Sequence, residues 1–90
     1  MRKKIRRHIL FYGRVQGVGF RYYAVQKARQ LRLTGWVRNL YDGSVEMEVQ
    51  GEECLIGALI MFLEQQRYVL NEKIDTKRIS VIQEHDFCEL

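Results

Sequence analysis

Strict alternation over residues 45–50, set directly behind Asp42-Gly43, restricts this chain to folds built on a half-buried antiparallel sheet. Val45, Met47 and Val49 share one parity, and Glu46, Glu48 and Gln50 share the other. A period of two is the mark of a pleated strand with one dry face and one wet face. Asp-Gly is a strong hairpin turn because glycine accepts positive φ. Residues 35–40 are then the first strand of the hairpin and residues 44–50 the second. A lone hairpin is marginal in water, so the rest of the chain must cover the apolar face.

Two amphipathic segments can do that. Phe20, Ala24, Ala28 and Leu31 fall at helical steps and draw one stripe. Lys27, Arg29 and Arg32 lie off it, toward the end where cations suit the helix dipole. Gly35 is expected to mark the exit. After the hairpin, Gly51 opens a second helix, with Glu52 and Glu53 in its first turn. Leu55, Leu59 and Phe62 form a stripe that Ile56, Ile60 and Leu63 widen, with Met61 beyond. The stripe is broader than a half-buried helix needs. A self-contact patch is one reading, and a broad core face is the expectation. Residues 5–12 read as a strand. Its facing is ambiguous by parity, and Ile9 and Phe11 are expected to point inward. Residues 66–72 read as a connection and 73–85 as a weaker strand with Ile79 and Val81 inward. The last five residues stay unassigned, although Phe87 could pack on the sheet. The order β-α-β-β-α-β gives an α+β class, with an antiparallel sheet carrying two helices on one face. Ninety residues make one domain, 1–90.

Composition excludes other classes. Hydrophobic residues are 47% and charged residues 29%, an ordinary globular mix. Residues 54–63 form the longest uncharged apolar run, well short of the roughly 20 residues a membrane span needs. Proline is absent, which excludes a polyproline ligand. Cys54 and Cys88 form no Cys-x-x-Cys pair, and they read as reduced thiols of a cytoplasmic protein. No targeting signal is visible. Net charge is +4, but residues 1–45 carry eleven Lys/Arg and one acid, while residues 46–90 carry four Lys/Arg and ten acids. An anionic partner for the first half is one reading, and mixing of the halves by the fold is the other. The basic head up to Arg7 reads as a solubilising tail.

Gly13-Arg14-Val15-Gln16-Gly17-Val18-Gly19-Phe20 links the first strand to the first helix. Consecutive backbone N–H groups in such a loop can form an anion nest, and the helix start adds unpaired donors. Arg21 sits in the first helical turn, where its planar fork can hold two phosphoryl oxygens. Loop glycines before a helix often serve the turn alone, and a first-turn arginine is usually just solvated. A dinucleotide loop would need glycine where Tyr22 stands, and a P-loop would need Gly-Lys-Ser/Thr.

Gly13 to Arg21 resembles the signature loop of the acylphosphatase family. Gly35-Trp36-Val37-Arg38-Asn39 is similar to the family's second signature, and Asp42-Gly43-Ser44-Val45-Glu46 continues the match. The likeness is dense from Tyr12 to Gly51. It thins after Gln66, where members often carry a Gly-Pro connection and this chain has neither residue. The resemblance implies a ferredoxin-like α/β sandwich and hydrolysis of acyl phosphates to a carboxylate and inorganic phosphate. It implies a phosphate-binding arginine at Arg21 and a water-positioning asparagine at Asn39. The phosphate cradle falls on the backbone of Val15, Gln16, Gly17, Val18, Gly19 and Phe20.

The residue chemistry agrees with that implication. No convincing metal cluster or Ser/His/Asp constellation is visible, and His8 and His85 look unconnected to the loop. No cofactor and no metal is expected. A carboxylate leaving group, with an acid pKa near about 4, departs without a proton donor. The protein then needs to hold the phosphoryl group, spread its charge and aim a water. The expected partners are a small acyl phosphate and inorganic phosphate or sulfate, with no membrane. Two other readings remain open: a phosphate-binding regulatory module without turnover, and an RNA-binding domain stacking bases on Phe11, Tyr12 or Trp36. The second lacks the RNP1 pattern.

Overall fold

The alternating segment forms a strand whose Val45, Met47 and Val49 are fully buried. In chain order the elements are β1 (Lys4–Arg14), α1 (Phe20–Gln30), β2 (Thr34–Asn39), β3 (Val45–Glu52), α2 (Glu53–Glu64), β4 (Leu70–Ile79) and β5 (Phe87–Glu89). This computed structural model describes residues 3–17, 19–66 and 69–90. The sheet order is β4-β1-β3-β2-β5. β2 and β1 both pair antiparallel with β3, and β4 pairs antiparallel with β1.

Both helices cover one face, giving the ferredoxin-like α+β arrangement. Ile9 and Phe11 point toward them as expected, and the Phe11 ring meets Phe20 edge-on at 4.9 Å. On α1, Phe20, Ala24, Val25 and Ala28 are buried. On α2, Ile56, Leu59 and Leu63 are buried, with Leu55, Ile60 and Phe62 packed at the margin. The broad stripe therefore serves the core, and Met61 alone of it stays largely exposed.

Several expectations need correction. α1 stops at Gln30, with Leu31 as its C-cap, not at Gly35. Arg32 takes φ 58°, Arg32 N–H bonds to Arg29 O and Leu33 N–H bonds to Ala28 O. That left-handed cap closes the last carbonyls and leaves Gly35 inside β2. Gly51 belongs to β3, and Glu52 is the N-cap of α2. The last long strand begins at Leu70 and ends at Ile79, so the 66–72 connection is shorter than expected; Arg67 and Tyr68 lie outside the described residues, as does Arg2 of the basic head. Ile79 pairs with Arg6 on the helix-free face, and Val81 is exposed. The inward residue of β4 is Ile74, opposite Phe11.

After Ile79 the chain leaves the β4 edge and crosses the helix-free face. Gln50 pins this strap through two bonds with the Ile82 backbone, and Arg6 pins it through Glu84 at 2.7 Å. The strap delivers β5 to the far edge, where it runs parallel to β2 with Gly35 opposite Phe87. The sheet is therefore five-stranded and mixed rather than wholly antiparallel. Arg6 is no tail residue: it is 1% exposed between Glu48 and Glu84. Its pKa is raised, because burial, which lowers it, is outweighed by bonds to those two carboxylates.

Candidate active site

Of the expected site residues, Val15, Gln16, Gly17, Gly19, Phe20, Arg21 and Asn39 meet at the end of the sheet where β1 hands over to α1. Val15 is fully buried and anchors the loop, its N–H bonded to Gly13 O. Gly17 and Gly19 take φ 73° and 81°, the left-handed region in which a side chain costs energy. Gly19 is the N-cap of α1, and no side chain caps the helix there; its first turn also carries no acid. The opening amides of α1 are thus left for a ligand or solvent. Val18 lies outside the described residues.

A cavity of about 180 Å³ lies against this loop. Val15, Gln16, Gly17, Gly19, Phe20, Arg21, Tyr22, Asn39 and Glu89 line it. Three separate stretches meet here: the loop with the start of α1, the end of β2, and β5. Arg21 projects from the first helical turn. Its Nη1 lies 3.2 Å from Glu89 Oε1 and donates to Leu90 O at 3.4 Å. Asn39 is the last residue of β2 and pairs with Val45; it is exposed, and its carboxamide bonds to no described residue.

Two contributors had no sequence signal. Glu89 reaches the cavity through β5, a strand of three residues that is too short to show a period. The side chain of Gln16 leaves the loop and donates from Nε2 to Leu40 O at 2.7 Å and Ser44 O at 2.8 Å. The neck of the hairpin is itself well ordered by Asp42, which accepts the N–H and hydroxyl of Ser44. Those two bonds, the hydroxyl first, hold the Asp42 carboxyl below its ordinary range.

Neither histidine borders the cavity. His8 bonds to Glu46 at 2.7 Å on the helix-free face, and His85 lines a separate hollow at the far end of α1 with Arg29, Arg32, Leu33, Thr34 and Asp86. Among the described residues, no group of three or more His, Cys, Asp or Glu is arranged to hold a metal, and no helix is long and apolar enough to cross a membrane. Phe11 is fully buried against α1 and cannot stack a base, while Trp36 sits beside the Arg38 guanidinium at 5.4 Å.

The acylphosphatase family model matches residues 7–88. The chain belongs to the acylphosphatase family. It is 55% identical over 56 residues to the acylphosphatase of Bifidobacterium longum, across 62% of this chain and 58% of that protein. The aligned stretch thus spans under two thirds of that relative. Solved family structures extend the likeness over nearly the whole chain. The acylphosphatase from Bacillus subtilis superposes with a TM-score of 0.89 at 31% identity, covering 96% of this chain and 98% of that one. The one from Coxiella burnetii gives 0.89 at 34% identity, covering 97% and 93%. The family's fold therefore extends past Gln66, where the signature residues thin out.

Proposed function

We propose that this chain is an acylphosphatase: a metal-independent hydrolase that cleaves acyl phosphates to a carboxylate and inorganic phosphate. The observation that carries the reading is the shared cavity. Arg21, the uncapped start of α1, the Gly17 and Gly19 turn and Asn39 all border it.

The chemistry follows from those groups. A dianionic phosphoryl group rests on the loop and first-turn amides, which point partial positive charge at its oxygens. Arg21 adds a full charge; its interactions with Glu89 and Leu90 use Nη1 and leave Nη2 and Nε for phosphoryl oxygens. Asn39 accepts a hydrogen bond from water through Oδ1 and aims it at phosphorus, in line with the acyl oxygen. The water oxygen–phosphorus bond forms as the phosphorus–acyl oxygen bond breaks. The electron pair leaves on a carboxylate that is stable without a proton, and the water proton ends on the phosphate. No general acid is required, which fits a cavity that neither histidine borders. A reducing, cytoplasmic setting goes with this reading.

The test is phosphate release from benzoyl phosphate by the purified chain, with p-nitrophenyl phosphate as a comparison and EDTA in a parallel sample. Expected is rapid hydrolysis of the anhydride, far slower attack on the ester, and no effect of EDTA. Absence of anhydride hydrolysis would overturn the activity, and loss of activity in EDTA would overturn metal independence.

A further inference from the structure

We infer that Gln16 is a positioning residue, whose side-chain amide sets the phosphate loop in register with the strand end carrying Asn39; this rests on the hydrolase reading above. Both Nε2 hydrogens are used, one on Leu40 O at 2.7 Å and one on Ser44 O at 2.8 Å. Leu40 directly follows Asn39, and Ser44 directly precedes Val45, the cross-strand partner of Asn39. The amide therefore grips both strands of the hairpin one step to the turn side of the Asn39–Val45 pair.

The hairpin does not need this grip to close. Leu40 N–H already bonds to Ser44 O at 2.9 Å, and Gly43 N–H bonds to Leu40 O at 3.2 Å. Removing Gln16 leaves both carbonyls with a partner, so the two extra bonds serve the joint between loop and hairpin. That joint matters because the two halves of the reaction come from its two sides. The loop and Arg21 hold phosphorus, and Asn39 holds the water. The Asn39 carboxamide has no hydrogen-bond partner among the described residues, so the backbone of β2 fixes where the water stands. A misplacement of about 1 Å can cost about 10²-fold in rate.

The experiment uses Gln16→Met, which keeps length but has no donor, and Gln16→Ala, assayed with benzoyl phosphate beside wild type. Wild type without turnover defeats the hydrolase reading, and this inference with it. Given wild-type turnover, kcat of both variants is expected to fall about 10- to 100-fold. KM and the inhibition constant of inorganic phosphate should stay within about threefold, because the cradle and Arg21 are intact. A smaller fall in kcat overturns the inference. So does a phosphate inhibition constant that rises in step with the loss, since Gln16 would then shape the cradle alone. Failure of both variants to fold also overturns it, by making Gln16 a residue of the fold.

Discussion

Arg21 and Asn39 border one cavity, and the proposed mechanism gives them different work, so removing them should have separable effects. Loss of one preorganised group typically costs about 10²–10³ in rate. We expect Arg21→Ala to lose at least that much turnover and also to lose competition by phosphate, whereas Asn39→Ala loses turnover alone. Gly19 offers a third probe. At φ 81°, with the position of a Cβ 3.3 Å from Tyr23 Cε2, Gly19→Val should cost at least about 1–2 kcal/mol, read by denaturant unfolding. Gly19→Asn should cost less, because asparagine tolerates the left-handed region; equal losses would contradict a backbone origin. That Arg21, Asn39 and the two glycines would meet at one place was legible because each lies inside a short contiguous motif. The role of the Gln16 side chain was not, since its acceptors lie 24 and 28 residues away and nothing local encodes that reach.

Elements with a strong period were read well, and those without one were not. β3 buries Val45, Met47 and Val49 as their spacing predicts, and both helices turn their predicted stripes to the core, with Leu31, Leu55, Ile60 and Phe62 only half-buried at its margin. β4 is an edge strand of mostly charged and polar residues, so its phase was misassigned and Ile74 was overlooked as its inward residue. β5 is too short for any pattern, yet Phe87 is fully buried in the core. Phe87→Ala should cost about 3–5 kcal/mol. It should also weaken phosphate competition, because β5 carries the Glu89 carboxylate beside Arg21. Unchanged stability would show that β5 is dispensable. The strap has its own anchor. Arg6→Ala leaves Glu48 and Glu84 without their buried cation, at a cost of about 3 kcal/mol, the low end for such a break because both carboxylates keep some solvent.

At the scale of the molecule, the fold interleaves the basic first half and the acidic second half. Arg6 meets Glu48 and Glu84, Arg21 meets Glu89, Arg29 meets Asp86, and Arg38 meets Glu46. Composition alone left this mixing open against a bipolar field, because only topology brings residue 6 to residue 84. Burial pushes the Glu46 carboxyl up, but bonds from His8 and Arg38 outweigh it and hold the group below its ordinary 4.5. The Phe87 backbone N–H, then Arg29, hold Asp86 below 3.8. Lowered folded values mean the contribution is complete above the ordinary carboxylate range and is lost as pH falls through the lowered values. The melting temperature should therefore drop on acidification below about pH 4, and a rise there would contradict the pairing. The central claim is tested most directly by titrating inorganic phosphate against benzoyl phosphate turnover in wild type, and by phosphate binding to Arg21→Ala and Asn39→Ala. We expect competitive inhibition of wild type, binding retained in Asn39→Ala, and binding lost in Arg21→Ala. Equal phosphate binding by all three proteins would contradict it.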